Sequence, residues 1–156
     1  MVEIAIPSRG VLLLEHLVLD LNGTIALDGK LLPGVKDSIA QLSQHLAVHL
    51  VSADTRGTLA AIAADLAALA HPVEPGDEAR QKAALVERLG AERVVAVGNG
   101  ANDALMLARA VLGIAVLGAE GLALSCMQAA DVIAPDIGAA LAMLLSPQRL
   151  VATLRV

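Results

Sequence analysis

The hydrophobic positions of the chain fall into short continuous runs that alternate with longer amphipathic stretches. Residues 17–19, 47–51 and 93–97 are almost wholly apolar, as expected for strands buried on both faces of a parallel sheet. Between such runs the apolar residues recur at helical spacing, as in residues 34–46. This alternation predicts an α/β fold, a three-layer sandwich around a mostly parallel, Rossmann-like sheet.

Capping residues and helix breakers set the bounds of the other predicted elements. Thr55, Asp77 and Asp136 each precede a helical stretch, and Gly90 closes one. The predicted helices are residues 34–46, 55–70, 78–89, 102–112, 120–129 and 136–145. The predicted strands are residues 17–20, 47–52, 93–97, 114–117 and 131–133, and residues 71–76 form a short strand or a loop.

Two β-hairpins are predicted outside this alternation. Residues 1–15 carry an alternating run, a Pro-Ser-Arg-Gly turn and an apolar run, so they form a hairpin that either extends the sheet or contacts another subunit. Residues 25–32 contain an Asp-Gly pair between apolar residues, which is a strong signal for a smaller hairpin. Because no linker or repeat interrupts the pattern, residues 1–156 are predicted to be a single domain with its core in residues 16–145.

Composition narrows the classes of function. Hydrophobic residues make up 56% of the chain, yet Phe, Tyr and Trp are absent, which argues against binding of single-stranded nucleic acid by base stacking. The net charge of −5 also disfavours a nucleic-acid partner. No apolar run approaches the roughly 20 residues that span a bilayer, and no signal-peptide pattern is present. We therefore expect a cytoplasmic protein without a membrane partner, and the apolar composition favours a homo-oligomer.

Polar residues end two of the predicted strands. Asp20 ends the first core strand and is followed by Leu-Asn-Gly-Thr, and Ser52 ends the second. A carboxylate at the carboxyl end of a central strand, followed by a glycine turn, lies where open α/β sheets bind ligands. Taken alone, the same residues fit an ordinary Asx/Gly turn equally well.

Four stretches taken together resemble the motifs of the haloacid dehalogenase-like superfamily. Asp20-Leu-Asn-Gly-Thr is similar to its Asp-x-Asp-Gly-Thr box and to Asp-Lys-Thr-Gly-Thr of P-type ATPases, and Ser52-Ala-Asp is similar to the ATPases' Thr-Gly-Asp. Lys82 lies in a helical pattern where the family keeps a lysine. The stretch starting at Gly98, Gly-Asn-Gly-Ala-Asn-Asp-Ala-Leu-Met-Leu, resembles Gly-Asp-Gly-x-Asn-Asp-x-x-Met-Leu. The four boxes follow the family's order.

The resemblance is closest to small soluble proteins related to the phosphorylation domain of P-type ATPases. Many members of the superfamily carry a cap domain over the active site. Between Thr24 and Lys82 this chain has room for only two helices and a strand besides the small hairpin, so it is predicted to be capless.

The resemblance implies phosphoryl transfer that depends on Mg²⁺, with Asp20 as the nucleophile that becomes an aspartyl phosphate. The implied catalytic residues are Asp20, Asn22, Ser52 and Lys82. The implied phosphate-binding residues are Gly23, Thr24, Ser52, Ala53, Lys82 and Asn102. The implied metal ligands are Asp20, the main-chain carbonyl of Asn22, Asp103 and, where the motif has an aspartate, Asn99.

Two departures from the motifs bear on activity. Phosphatases of the superfamily use the second aspartate of the first box as general acid and base, but Asn22 cannot transfer a proton near pH 7. General acid–base help is worth about 10²–10⁴-fold, so hydrolysis of the aspartyl phosphate should be slow. Asn99 removes a carboxylate and should weaken Mg²⁺ binding. We expect a slow Mg²⁺-dependent phosphatase acting on a small phosphorylated substrate.

Two alternative functions and several other residues compete with this expectation. A non-catalytic or regulatory protein that binds a phosphoryl ligand is the main alternative, and a dinucleotide-dependent oxidoreductase is a distant third because Asp103 occupies its third glycine position. Asp54 is either a hydrogen-bonding residue behind the site or a neighbour of a helix cap. The four histidines lack metal-ligand spacing, and Cys126 is expected in the core.

Overall fold

The computed structural model describes residues 1–53 and 57–156, and most of its strands belong to one central sheet. The strands are β1 (Val2–Ile6), β2 (Gly10–Leu14), β3 (His16–Asp20), β4 (Ala26–Leu27), β5 (Lys30–Leu31), β6 (Ala47–Ser52), β7 (Leu69–Pro72), β8 (Val94–Gly98), β9 (Leu112–Val116) and β10 (Val132–Ala134). The helices are α1 (Val35–Leu42), α2 (Leu59–Asp65), α3 (Glu78–Leu89), α4 (Ala104–Arg109), α5 (Leu124–Ala129), α6 (Ile137–Leu145) and α7 (Gln148–Leu154).

The central sheet has six parallel strands in the order β10-β9-β8-β3-β6-β7. The chain first builds outward from β3 through β6 to β7, then returns to β8 on the other side of β3. The strand order therefore reverses beside β3, and a crevice opens there at the carboxyl ends of the strands. The predicted three-layer α/β architecture is confirmed.

Helices cover both faces of the sheet and bury its short apolar strands. On one face, Leu17 and Leu19 of β3 pack in a cluster with the N-terminal hairpin and with α1, α2 and α6. On the other face, Val18 packs in a second cluster with α3, α4 and α5. Because adjacent strand residues point to opposite faces, a strand covered on both sides must be apolar throughout, which explains the continuous runs in the sequence.

Both predicted hairpins are present. β1 and β2 pair antiparallel, and the inward residues of this hairpin join the cluster that covers Leu17. β4 and β5 form the smaller hairpin through Asp28 and Gly29, which both take positive φ angles. Two consecutive positive φ angles define a type I′ turn, for which Asp-Gly is a preferred pair.

The helix predicted over residues 55–70 is wrong in its extent. α2 begins at Leu59 and ends at Asp65, and the last residues of the predicted helix belong to β7, which pairs with β6. Ala67 takes a φ of 51°, so the chain leaves the helix through a left-handed residue. The candidate cap Thr55 lies outside the described residues.

Other helix predictions also differ from the structure, and one helix was not predicted. The helix predicted over residues 120–129 begins at Leu124, because the residues before it form a turn. The helix predicted over residues 102–112 ends at Arg109, because β9 starts three residues later. α7 was not predicted, and it packs against α6 and β1.

The described residues contain no single helix long and apolar enough to cross a membrane. α6 and α7 together pass the length and composition test, but a bend of 105° separates them.

Three of the four histidines form a hydrogen-bonded chain across neighbouring strands of the sheet. His16 Nδ1 lies 3.1 Å from His49 Nε2, and His49 Nδ1 lies 3.0 Å from His71 Nε2. His49 is buried, and burial, followed by the neighbouring charges of His71 and His16, lowers its pKa to about 4. Folding therefore favours the neutral form of His49.

We expect the protein to lose stability in mild acid because of His49. An unfolded histidine has a pKa near 6.5, so between pH 6.5 and about 4 the unfolded chain binds a proton that the folded chain resists. The full contribution of His49 to the free energy of unfolding is present above pH 6.5. The contribution of His49 alone to the free energy of unfolding should fall by about 2 kcal/mol between pH 7 and pH 5.

Urea unfolding of wild type, His49→Gln and His45→Gln at both pH values tests this expectation. His45 is exposed and serves as the matched control. On going from pH 7 to pH 5, His49→Gln should lose less stability than the other two proteins. If the free energy of unfolding of His49→Gln falls in acid as steeply as that of wild type, groups other than His49 cause the acid sensitivity.

Candidate active site

The residues predicted to act together meet at the carboxyl ends of three adjacent strands. Asp20 is the last residue of β3, Ser52 the last of β6 and Gly98 the last of β8. A cleft of about 260 Å³ opens at this edge. Its lining is Asp20, Asn22, Ser52, Ala53, Lys82, Asn99, Gly100, Asn102 and Glu120. Of the other predicted site residues, Thr24 and Asp103 lie buried immediately behind this lining.

A buried lysine joins two buried carboxylates at the base of the cleft. Lys82 extends from α3, and its Nζ donates to Asp20 Oδ1 at 2.6 Å and to Asp103 Oδ1 at 2.7 Å. Lys82 is 1% exposed and Asp103 is fully buried. A buried charge is tolerated only when it is paired, so these three groups depend on each other.

The pKa values of the cluster reflect competition between burial and charge. Burial raises the pKa of Asp20 to about 6, and repulsion from Asp103 adds to the rise, while Lys82 and the Thr24 hydroxyl oppose it. Burial alone would lower the pKa of Lys82, but attraction to Asp20 and Asp103 outweighs it and raises the pKa above the ordinary value. The cluster contains two acids and one base, and therefore carries excess negative charge when all three are ionised.

Asp103 is held by the backbone at the end of β8. Its Oδ2 accepts hydrogen bonds from the main-chain N–H groups of Asn99 at 3.0 Å and Gly100 at 2.9 Å. A Cβ at Gly98 would lie 2.6 Å from the Asp103 carboxylate, so only glycine lets the strand pass this close. The side chain of Asp103 is thus fixed before any ligand binds.

Thr24 and Asn99 form a polar bridge behind Asp20. The Thr24 hydroxyl lies 3.1 Å from Asp20 Oδ2 and 3.0 Å from Asn99 Oδ1, and its single proton can be donated to one of them at a time. The amide nitrogen of Asn99 donates to the carbonyl of Gly121 at 3.2 Å. Asn99 therefore links the loop after β3 to the turn after β9.

The loop after Asp20 turns sharply at Gly23. Gly23 has a φ of 81° and donates its N–H to the carbonyl of Ala26 at 2.8 Å. The turn directs the amide of Asn22 into the cleft, where its nitrogen lies 3.5 Å from Ser52 Oγ.

The sequence profile of the haloacid dehalogenase-like hydrolases matches residues 7–110. The chain belongs to this family. That stretch includes Asp20, Ser52 and Lys82, which line the cleft, and Asp103, which is buried behind it.

Solved structures of other proteins share the architecture, and a further relative matches part of the sequence. A HAD family hydrolase from Streptomyces avermitilis is 26% identical, with a TM-score of 0.67 over 86% of this chain and 87% of that one. The 3-deoxy-D-manno-octulosonate 8-phosphate phosphatase of Moraxella catarrhalis, in complex with magnesium, phosphate and KDO, is 16% identical, with a TM-score of 0.63 over 91% and 87%. The uncharacterized protein MJ0073 of Methanocaldococcus jannaschii is 40% identical over 51% of this chain and 90% of its own length.

The oxygen donors of the cleft fit a hard divalent cation. Mg²⁺ takes oxygen ligands and commonly uses one or two carboxylates together with waters. Asp20 and Asp103 would provide the carboxylates, and Asn22 and Asn99 could add neutral oxygens. A cation would also relieve the repulsion between the Asp20 and Asp103 carboxylates. Among residues 1–53 and 57–156, no group of three or more His, Cys, Asp or Glu side chains is placed to hold a metal.

Glu120 lines the cleft and was not predicted to be a site residue. It lies in the turn that follows β9, at the same edge of the sheet as Asp20. The signal was present in the sequence, because Gly-Ala-Glu-Gly follows a buried strand, and a carboxylate near a glycine turn at a strand end also singled out Asp20.

The remaining candidates lie away from the cleft or outside the described chain. Asp54 is not among the described residues. Cys126 is buried in the cluster beneath α3 and α4, and burial raises the pKa of its thiol to about 12, as expected for a core residue. The histidine chain includes none of the residues that line the cleft.

Proposed function

We propose that the protein is a Mg²⁺-dependent phosphatase that hydrolyses small phosphate esters through an aspartyl phosphate on Asp20. The observation that carries this proposal is the buried Asp20–Lys82–Asp103 cluster at the base of a cleft, at the carboxyl edge of the sheet. Membership of the haloacid dehalogenase-like hydrolases supports the same reaction class.

In the first half of the reaction, a carboxylate oxygen of Asp20 attacks phosphorus, and the bond between phosphorus and the ester oxygen breaks. Lys82 holds Asp20 in position and offsets its charge. Ser52 and Asn102 line the cleft where they can donate hydrogen bonds to phosphoryl oxygens. Mg²⁺ held by Asp20 and Asp103 would supply neutralising charge to the phosphoryl group and the carboxylates. Positioning and charge neutralisation provide most of the catalysis in such transfers.

The size of the cleft favours a small substrate. A volume of about 260 Å³ accommodates a phosphoryl group and a few further atoms. The Moraxella catarrhalis neighbour is, by its name, a phosphatase of a sugar-acid phosphate. We infer that this chain also acts on a small phosphorylated metabolite, with the rest of that molecule reaching outside the cleft.

The second candidate is a protein that binds a phosphoryl ligand without turnover. Asn22 favours it, because an amide faces the place where a proton must move. Asn99 favours it as well, because Asp20 and Asp103 are then the only carboxylates proposed as metal ligands within residues 1–53 and 57–156.

A panel of small phosphate esters, assayed with Mg²⁺ and after chelation, separates the two candidates. We expect slow release of inorganic phosphate that stops when the metal is removed. Binding of inorganic phosphate in calorimetry, without release from any ester, would favour the second candidate.

Asn99→Asp tests whether residue 99 faces the metal. A third carboxylate should tighten Mg²⁺ binding in calorimetry. The substitution also removes the amide donor to the Gly121 carbonyl, so stability without metal should fall by about 1–3 kcal/mol. Asn102→Asp, at an exposed position of the same cleft, is the matched control. Tighter binding only in Asn102→Asp would place the metal away from residue 99.

A further inference from the structure

Glu120 lies in a tight turn that is attached to the active-site loops. Gly121 donates its N–H to the carbonyl of Gly118 at 2.9 Å, and its φ of 84° suits glycine, so Glu120 occupies the centre of the turn. Asn99 binds the turn through the Gly121 carbonyl, and its own carbonyl accepts the N–H of Ala123 at 2.9 Å. The backbone around Glu120 is therefore anchored to the residue that follows β8.

The side chain of Glu120 lies directly against the loop that follows the nucleophile. A Cβ at Gly23 would come within 2.3 Å of Glu120 Oε2, so the carboxylate occupies the space that a side chain at position 23 would need. The carbonyl of Gly23 in turn lies 3.0 Å from where a Cβ at Gly118 would be. These contacts place the Glu120 carboxylate beside Gly23, the residue that follows Asn22, at the mouth of the cleft.

Glu120 is the cleft carboxylate whose side chain is not engaged within the described residues. Asp20 is bound to Lys82 and has the role of nucleophile, and Asp103, buried behind the lining, accepts from Lys82 and from two main-chain N–H groups. The three asparagines of the cleft cannot accept a proton near pH 7. No hydrogen bond or ion pair within residues 1–53 and 57–156 involves the Glu120 carboxylate.

We propose that Glu120 is the general base for hydrolysis of the aspartyl phosphate, a role that rests on the proposed phosphatase function. The Glu120 carboxylate takes a proton from water, the water oxygen forms a bond to phosphorus, and the bond between phosphorus and Asp20 breaks. Asp20 leaves as a carboxylate and phosphate as the hydrogen-phosphate dianion. Glu120 is exposed, so it returns the proton to solvent. A base in this position compensates for the amide at Asn22 in the second half-reaction.

The same placement predicts a preference among leaving groups. The ionised Glu120 has no proton to give to the ester oxygen in the first half-reaction, and Asn22 has none to give either. Aryl and acyl phosphates, whose leaving groups depart unaided, should therefore be turned over faster than alkyl phosphates.

Pre-steady-state kinetics with p-nitrophenyl phosphate and Mg²⁺ tests the role of Glu120. In Glu120→Gln, kcat should fall by about 100-fold or more. Release of p-nitrophenol should then show a burst close to one equivalent per active site, because phosphorylation continues while hydrolysis stalls. Acid-quenched protein should carry trapped phosphate. Glu3→Gln removes an exposed carboxylate of the N-terminal hairpin and should behave as wild type.

A second substitution tests whether Glu120 acts as a base or only packs against Gly23. Adding Asn22→Asp to Glu120→Gln supplies another carboxylate at the mouth of the cleft, and should raise kcat by about 10-fold or more and remove the burst. An unchanged kcat in Glu120→Gln, or a fall without a burst, overturns the role of Glu120 while leaving the phosphatase function standing. Absence of Mg²⁺-dependent turnover in wild type overturns both.

Discussion

Replacement of Asp20 with Asn removes the attacking carboxylate, and we expect Mg²⁺-dependent phosphate release to fall by at least about 1,000-fold. The amide keeps the shape of the side chain but cannot form an acyl phosphate. Lys82 retains its partner Asp103 at 2.7 Å, so the buried cation is not left unpaired. Acid-quenched Asp20→Asn should carry no trapped phosphate.

The same variant should be more stable than wild type at neutral pH without metal. The pKa of Asp20 is about 6 in the folded protein against an ordinary value of 3.8, so folding disfavours its charged form. That cost is fully present at pH 7 and vanishes as the pH falls towards 4. Asp20→Asn should therefore unfold at a higher temperature at pH 7, and the gap to wild type should close in acid.

Asp37→Asn, at an exposed position of α1, is the matched control for both measurements. It should leave phosphate release unchanged and give no pH-dependent gain in stability. Retained turnover in Asp20→Asn would remove the aspartyl-phosphate mechanism. A lower melting temperature than wild type at pH 7 would show that the Asp20 charge stabilises the fold.

The parts of the fold that follow from strand burial could be predicted from the sequence. A strand covered on both faces must be apolar throughout, so the run ending at Asp20 shows both the strand and the point where it reaches the sheet edge. The break after α2 could not be predicted in this way. Its signal is the positive φ of Ala67, and alanine has no intrinsic preference for that conformation.

Sequence reasoning missed contacts that depend on the order of the strands in the sheet. His16, His49 and His71 are separated by 33 and 22 residues, and they meet only because β3, β6 and β7 are adjacent. Glu120 reaches the cleft because β9 ends at the same edge as β3, with β8 between them. Lys82 was placed by resemblance, and helical spacing alone did not distinguish it from a solvated lysine.

Lys82 should be the position at which one substitution damages stability and activity together. In Lys82→Met the aliphatic part of the side chain still fills its place, but the charge that pairs with Asp20 and Asp103 is gone. Removing one partner of a buried ion pair typically costs about 3–5 kcal/mol. Loss of a preorganised cation beside the reacting group should also lower kcat by about 100-fold or more.

Lys36→Met is the matched control, because Lys36 also pairs with a carboxylate, Asp65, but at the surface, where both side chains are at least half exposed. Exposed pairs contribute about 0–1 kcal/mol, so this variant should be close to wild type in urea unfolding and in turnover.

The pH dependence of Lys82→Met identifies the cause of its instability. Without the lysine, repulsion between Asp20 and Asp103 is unopposed, so the pKa of Asp20 should rise above its wild-type value of about 6. Lowering the pH from 8 to 6 should then stabilise Lys82→Met relative to Lys36→Met, because protonation removes the unpaired charge. Added Mg²⁺ should also stabilise the variant by supplying positive charge to the same two carboxylates. If Lys82→Met matches Lys36→Met in stability at every pH, Lys82 does not offset the charge of the cluster.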